Sequence, residues 1–163
     1  MMFADRIRFL LVTSGGLGLA PVASGTFGSL GGVVIGVVLH AVLPGSWLGL
    51  GLLTCSLALL GVGCAMTEFT ERVFKKKDPG PFVLDEVVGY LLGLAVFVLA
   101  CGVPSPSAYI WCFFLFRFFD ITKLAPARQL ERLPGAAGIM LDDVAAGAYT
   151  GVVMLVLAYV ELL

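Results

Sequence analysis

The sequence predicts an all-α, polytopic membrane protein with about five transmembrane or membrane-embedded helices. Of its 163 residues, 60% are hydrophobic and 13% are charged, whereas about a quarter of the residues in a soluble domain are charged. The apolar residues form long runs, and the charged residues gather between alternate runs. At this length we expect a single membrane-embedded domain over residues 1–163, without a separate regulatory module.

Five apolar runs follow one another, at residues 28–43, 47–66, 87–103, 107–119 and 144–160. A helix needs about 20 residues to cross a bilayer. The second run is the strongest, because no charged residue lies between Trp47 and Thr67. The first and fourth runs are short, so we expect them to tilt little, to be partly re-entrant or to pack against neighbours. Residues 14–21 offer no convincing signal-peptide cleavage site, so residues 1–13 are expected to stay in the mature chain.

The distribution of charge predicts which helix ends lie together. If the chain crosses five times from an inside N-terminus, the outside loops are residues 43–46 and 103–107, and neither carries a charge. Because lysine and arginine are enriched in short cytoplasmic loops, the other side is predicted to face the cytoplasm. All the basic residues lie on that side: Arg6, Arg8, Arg72, Lys75, Lys76, Lys77, Arg117, Lys123, Arg128 and Arg132. The loop at residues 68–79 is also expected to attract anionic lipid headgroups.

The composition argues against several classes of function. A net charge of −1 leaves no basic surface large enough for nucleic acid, and the sequence identifies no protein partner. His40 lies near the uncharged end of the first run with no polar residue beside it, which argues against a zinc site. The cysteines all lie in apolar runs and are expected to act as small hydrophobic residues: Cys55, Cys64, Cys101 and Cys112.

A segment rich in glycine and hydroxyl side chains, residues 20–30, leads into the first apolar run. Glycines permit a tight turn, and the free backbone N–H groups of a helix N-terminus attract anions. Thr26, Gly28 and Ser29 are therefore candidates for binding phosphate. The alternative is an ordinary helix start, with Thr26 or Ser29 as the N-cap.

Two pairs of adjacent carboxylates open the third and fifth runs, Asp85 with Glu86 and Asp142 with Asp143. One acid at a helix start is favoured by the helix dipole, but a second one among apolar residues is costly unless a cation shares it. Mg²⁺ prefers oxygen ligands and keeps several waters, so it suits a few carboxylates together with a phosphate. The two pairs therefore predict a Mg²⁺ site, and the alternative is that they are solvated acids at helix ends.

A group of charged residues ends the fourth run. On a helix, Arg117, Asp120 and Lys123 share about a third of the circumference. Arginine recognises phosphate oxygens with its planar fork, and lysine supplies a point charge. Arg117 and Lys123 are therefore candidates for binding phosphate; the alternative is that Asp120 simply neutralises them, and both roles are compatible.

Together these segments resemble the phosphatidylglycerophosphatase A family. The matching stretches stand in the family's order, namely residues 25–30, Asp85 and Glu86 with Gly89, Phe116 and Arg117 with Asp120 and Lys123, and residues 138–143 with Ala146 and Gly147. The resemblance implies an all-helical fold and Mg²⁺-dependent removal of the terminal phosphate from phosphatidylglycerophosphate. The product would be phosphatidylglycerol, and the enzyme would lie in a bacterial inner membrane with a phospholipid as its substrate.

This interpretation assigns a role to each candidate. The predicted metal ligands, direct or through water, are Asp85, Glu86, Asp142 and Asp143. The predicted phosphate-binding residues are Arg117, Lys123, Thr26, Gly28 and Ser29, supported by Asp120. Two nucleophiles remain open: a water activated by the metal, or a carboxylate that forms an aspartyl-phosphate, with Asp85 or Asp142 as the candidate.

Two other functions share some of these features. A phosphatidyl transferase also uses Mg²⁺, acidic residues and a lipid, but it carries a longer series of aspartates along one helix, which this sequence lacks. A cation transporter would line its path with carboxylates inside the membrane. Here the acids gather at one face, and no polar route crosses the predicted spans.

Overall fold

The computed structural model describes residues 3–76 and 79–162, and these residues form eight α-helices and no β-strand. The helices are α1 (Phe3–Val12), α2 (Ser24–Val42), α3 (Gly45–Cys64), α4 (Thr67–Phe74), α5 (Leu84–Cys101), α6 (Pro106–Thr122), α7 (Ala127–Leu130) and α8 (Gly135–Tyr159), with a 3-10 turn at Leu17–Leu19. The predicted all-helical fold is confirmed. Lys77 and Asp78, which belong to the predicted basic loop, lie outside the described residues.

Five helices correspond to the five apolar runs. Helices α2, α3, α5 and α8 have at least 18 residues each and are apolar enough to cross a membrane, and α6 has 17 residues. The prediction of about five membrane helices is therefore confirmed. Large side chains on the outer faces of α2, α3 and α6 are exposed, among them Val34, Trp47 and Phe114, as expected for surfaces that contact lipid.

Two helix starts differ from the predicted ones. The last apolar run is predicted to begin at residue 144, but α8 begins at Gly135, so Asp142 and Asp143 lie inside the helix. Both side chains are buried against other helices instead of facing lipid, and their charge therefore does not end the helix. Thr26 and Ser29 also lie inside α2, whose N-cap is Ala23, so the alternative N-cap role is wrong.

Helix α5 is the central helix of the bundle. It packs against α2, α3, α6 and α8, and its largest interface is with α8. Tyr90, Leu91 and Leu94 of this helix are fully buried in the main hydrophobic core. Because α5 is surrounded by other helices, acidic residues at its start are also enclosed by protein.

Glycines bring α5 and α8 into backbone contact. A Cβ added at Gly147 would lie 3.0 Å from the carbonyl carbon of Gly89 and 3.1 Å from its Cα. A Cβ at Gly89 would in turn lie 2.6 Å from the carbonyl oxygen of Asp143. Small residues allow such close approach of helices in membranes, and here the approach occurs one turn after the acidic residues.

The helix ends that carry the charged residues meet at one end of the bundle, which we call the charged end. It comprises the starts of α2, α5 and α8 and the ends of α3 and α6. The backbone N–H of Val83 donates to the carbonyl oxygen of Val12 at 2.9 Å, and the N–H of Ala136 donates to Oγ1 of Thr67 at 3.0 Å. This grouping of helix ends is the one that the charge distribution predicts.

The opposite end of the bundle joins the two uncharged loops. A Cβ at Gly45, the first residue of α3, would lie 2.6 Å from Cγ2 of Val103, so the connections at residues 43–44 and 102–105 are neighbours. His40 Nδ1 lies 2.9 Å from the hydroxyl of Tyr109. The histidine therefore has a polar partner that the sequence does not reveal, because Tyr109 comes from another helix.

Candidate active site

Three carboxylates converge at the charged end. Asp85 and Glu86 come from the first turn of α5 and Asp143 from the third turn of α8, and one oxygen of each lies within 4.8 Å of the others. Each side chain also has a buried oxygen without a hydrogen-bond partner among the described residues, namely Asp85 Oδ1, Glu86 Oε2 and Asp143 Oδ2.

Such a group of carboxylates is costly without a cation. Burying a charge is unfavourable unless it is paired, and three carboxylates this close repel one another as well. The unpartnered oxygens offer the hard donor atoms that divalent cations such as Mg²⁺ and Ca²⁺ prefer. The donor set therefore fits a hard divalent cation.

Asp142 has different partners from Asp143. Its Oδ2 accepts a hydrogen bond from Lys123 Nζ at 2.9 Å, and its Oδ1 accepts one from the backbone N–H of Asp143 at 3.0 Å. Lys123 Nζ also lies 3.1 Å from Oε1 of Glu131. The structure thus separates the predicted acidic quartet into a group of three and a carboxylate bound to lysine.

Lys123 is held at the end of α6. It is the C-cap and has a φ of 46°, a left-handed conformation that turns the chain towards α7. Burial alone would lower the pKa of Lys123, but the hydrogen bonds and negative charges of Asp142 and Glu131 outweigh it and raise the pKa. The ammonium group therefore stays charged at neutral pH.

Arg117 connects α6 to the start of α2. Its Nη1 pairs with Oδ2 of Asp120, one turn later on α6, and donates a hydrogen bond of 3.4 Å to the hydroxyl of Ser29. Ser29 in turn donates to the carbonyl oxygen of Gly25 at 3.0 Å. Nε of Arg117 is buried without a partner among the described residues, so the guanidinium keeps a free donor.

The glycines at the start of α2 allow this contact. A Cβ at Gly25 would lie 3.0 Å from Nη1 and 3.2 Å from Nη2 of Arg117, and it would collide with the carboxylate of Glu86. A Cβ at Gly28 would lie 2.7 Å from Cβ of Val83. The first polar segment of the sequence therefore packs directly against both the acidic cluster and the arginine.

A cavity of about 490 Å³ opens beside these groups. Its lining residues are Ser24, Gly80, Phe82, Asp85, Glu86, Asp120, Ile121, Lys123, Glu131, Arg132, Ile139, Asp142 and Asp143. Every predicted acidic residue and Lys123 line it. Arg117, Thr26, Gly28 and Ser29 do not, although Arg117 pairs with the lining residue Asp120 and contacts Ser29.

Three polar lining residues, Ser24, Glu131 and Arg132, are not among the sequence candidates. Ser24 lies in the predicted phosphate segment, two residues before the predicted Thr26. Glu131 and Arg132 lie between α7 and α8, and the ion pair of Glu131 with Lys123 joins the two ends of the segment that contains α7. The fold brings Glu131 and Arg132 to the cavity, and no pattern in the sequence predicts that these two residues line it.

A comparison with known families identifies the family of this chain. The family model of phosphatidylglycerophosphatase A matches residues 10–158. The chain belongs to the phosphatidylglycerophosphatase A family. The match runs from α1 into α8, so it includes all four polar segments and every residue of the cavity.

Curated relatives cover nearly the same length. A phosphatidylglycerophosphatase A of Haemophilus influenzae is 38% identical over 92% of this chain and 88% of its own, and one of Escherichia coli is 29% identical over 85% and 76%. A Bacteroides thetaiotaomicron protein with the provisional name phosphatidylinositol-3-phosphatase is 33% identical over 93% of each chain. No solved structure matches this member of the phosphatidylglycerophosphatase A family.

Proposed function

We propose that this protein is a Mg²⁺-dependent lipid phosphatase that hydrolyses phosphatidylglycerophosphate to phosphatidylglycerol and phosphate. One observation carries the proposal: Asp85, Glu86 and Asp143 place unpartnered buried oxygens together beside a cavity. Membership of the phosphatidylglycerophosphatase A family and the names of two curated relatives support the reaction and its substrate.

The three clustered carboxylates would hold Mg²⁺, and Asp142 would act through a water ligand of the metal or by orienting Lys123. Mg²⁺ binds through a few carboxylates and keeps waters and phosphate oxygens in its remaining positions. When bound, it would supply positive charge against the phosphate oxygens as charge develops on them.

The cationic side chains would position the phosphate group. Phosphoryl transfer depends mainly on positioning and on neutralising charge. Lys123 lines the cavity and is kept charged and oriented by Asp142 and Glu131. Arg117 is oriented by Asp120 and Ser29 and retains an Nε without a partner among the described residues, and this donor would be available to a bound phosphate.

The position of the cavity suits a lipid substrate. It lies at the ends of the membrane helices, where headgroups are found, and its wall includes the apolar side chains of Phe82, Ile121 and Ile139. A phosphomonoester headgroup would enter the cavity while the acyl chains remain in the bilayer. The basic residues of the charged end favour the cytoplasmic face of a bacterial inner membrane.

The nucleophile is a water or a carboxylate. Both oxygens of Asp142 already accept hydrogen bonds, whereas Oδ1 of Asp85 has no partner among the described residues. Asp85 is therefore the better candidate for an aspartyl-phosphate, and water is the alternative that needs no rearrangement of the cluster. Trapping with beryllium fluoride separates the two, since it forms a stable adduct with a nucleophilic carboxylate that mimics aspartyl-phosphate, whereas a water nucleophile leaves no adduct on a carboxylate.

The decisive test is phosphate release from phosphatidylglycerophosphate by the purified protein in detergent, with Mg²⁺ and with EDTA. We expect release that requires Mg²⁺ and that falls to background in Asp143→Asn. Glu68→Gln is the matched control, because Glu68 is an exposed acid of α4 outside the cavity. Folded protein that binds Mg²⁺ but releases no phosphate would exclude the proposal.

The same assay resolves the choice of headgroup. The Bacteroides relative is named for a phosphatase that acts on phosphatidylinositol-3-phosphate, so this lipid is the natural competitor substrate. We expect a higher kcat/KM for phosphatidylglycerophosphate, and the reverse order would assign the protein to the inositol lipid. Release of phosphate without any cytidine nucleotide would also exclude a phosphatidyl transferase.

A further inference from the structure

A second cavity lies at the charged end, on the other side of Ile139. Its volume is about 270 Å³, and it lies between α4, the residues that follow it and the start of α8. Ile139 lines both this cavity and the larger one that contains the acidic cluster. The role proposed above does not use any of its polar residues.

Thr70 is the residue of this cavity that most strongly indicates a ligand. Its side chain is only 2% exposed, and its hydroxyl has no hydrogen-bond partner among the described residues. A buried hydroxyl without a partner costs free energy, and helical threonines usually avoid this by bonding to the carbonyl one turn earlier. An unpaired hydroxyl in a cavity wall indicates a ligand that accepts or donates a hydrogen bond there.

The charges around the cavity favour an anion. Lys75 and Lys76 line it, and they outnumber Glu71, the single acid among its described lining residues. Neither lysine forms a salt bridge with any of the described residues. Two lysines that line the same cavity as a donor hydroxyl are typical of sites that bind phosphate groups.

The start of α8 adds to this preference. Gly135 and Ala136 line the cavity, and the helix that they begin is 25 residues long. The N-terminus of a helix carries a partial positive charge that attracts anions. Thr67 already accepts the N–H of Ala136 at 3.0 Å, so the helix contributes mainly through its dipole.

We propose that this cavity is a second phosphate-binding site, distinct from the acidic cluster, that takes the phosphate of an anionic phospholipid headgroup or free inorganic phosphate. The cavity lies just past the end of the membrane helix α3, at the depth of lipid headgroups. Its neighbour across Ile139 is the catalytic cavity, so a lipid bound here sits beside the position of the substrate. The proposal concerns binding and does not depend on the reaction proposed above.

The test measures binding to the purified full-length protein in detergent with EDTA, so that no divalent cation draws phosphate into the acidic cluster. Short-chain phosphatidylglycerol and inorganic phosphate are titrated separately by calorimetry. We expect the Lys75→Gln/Lys76→Gln variant to bind roughly tenfold more weakly, since two charged donors are lost. Arg6→Gln is the control, because it removes an exposed positive charge from α1.

Two further variants test the local chemistry. Thr70→Val should weaken binding while leaving the ligand-free protein no less stable, because it removes a hydroxyl that is unpaired without ligand. Glu71→Gln should tighten binding, because it removes the only acid among the described residues that line the cavity. Thr70→Val that binds normally would contradict the role of the hydroxyl.

The two probes distinguish the sources of phosphate. If only phosphatidylglycerol binding weakens in the double lysine variant, the site takes lipid headgroups; if only phosphate binding weakens, it takes free phosphate. If both weaken, the site accepts either. Equal affinity of the double variant and the Arg6→Gln control for both probes would overturn the proposal.

Discussion

Lys123 donates a hydrogen bond of 2.9 Å to Asp142, while the next residue, Asp143, shares a cluster with Asp85 and Glu86. Two adjacent carboxylates of one helix therefore have different partners. Asp142 is neutralised by a lysine, whereas Asp143 forms no salt bridge with any of the described residues. This difference predicts different consequences when each charge is removed.

Asp143→Asn should abolish metal-dependent activity, since it removes a donor oxygen from the cluster. Asp142→Asn should instead weaken activity about 10- to 100-fold, the usual effect of residues that orient a site through another side chain. Activity measured against Mg²⁺ concentration separates the two, because Asp142→Asn should still saturate with metal. Equal loss in both variants, with no saturation, would show that Asp142 binds the metal directly.

Arg117→Lys should lower kcat/KM by roughly tenfold, and Arg117→Gln should lower it further. A hydrogen bond to a charged group contributes about 1.5–3 kcal/mol, and lysine keeps the charge but loses the fork that contacts Ser29 and Asp120. The measurement is kcat/KM for lipid phosphate release. Arg128→Gln, an exposed arginine of α7, is the control that should stay at the wild-type value.

Gly25→Ala should reduce activity while the protein remains folded. The new methyl would lie 3.0 Å from Nη1 of Arg117 and collide with the carboxylate of Glu86, and that carboxylate is a flexible side-chain end that can move away. Gly61→Ala is the matched control, because a Cβ there meets nothing within 4 Å. Unchanged kcat in Gly25→Ala would show that the position of Glu86 does not limit the reaction.

Gly147→Ala should lower stability by about 1–3 kcal/mol, the usual cost of overpacking. Its Cβ would press against the backbone of Gly89, which cannot rotate out of the way as a side chain can. Unfolding of the detergent-solubilised protein provides the measurement. Gly61→Ala should be neutral or slightly stabilising, because alanine has the higher helix propensity.

The sequence predicts the helical fold and the acidic cluster because both depend on local patterns. Runs of apolar residues identify the spans, and adjacent acids at the edge of such runs are costly enough to indicate a site. Asp85, Glu86 and Asp143 are indeed brought together by the fold. Whether they bind Mg²⁺ stays a prediction until metal binding is measured.

Other features depend on contacts between distant residues, and the sequence does not reveal them. The start of α8 at Gly135 follows from burial of Asp142 and Asp143, which only the neighbouring helices provide. The ion pair of Glu131 with Lys123 depends on how the chain folds back after α6. In each case the feature depends on a contact between segments that are separated in the sequence, and the hydrophobic periodicity of the sequence does not predict such contacts.

The contact between Gly89 and Gly147 also has an evolutionary consequence. Each glycine lies four residues after an acid of the cluster, Asp85 or Asp143, so the helix crossing fixes how far apart those carboxylates stand. The same two glycines therefore determine how closely α5 and α8 pack and how far apart the carboxylates of Asp85 and Asp143 lie. A second-site suppressor that restores the melting temperature of Gly147→Ala should therefore leave its turnover impaired, since the separation of the carboxylates would not be repaired.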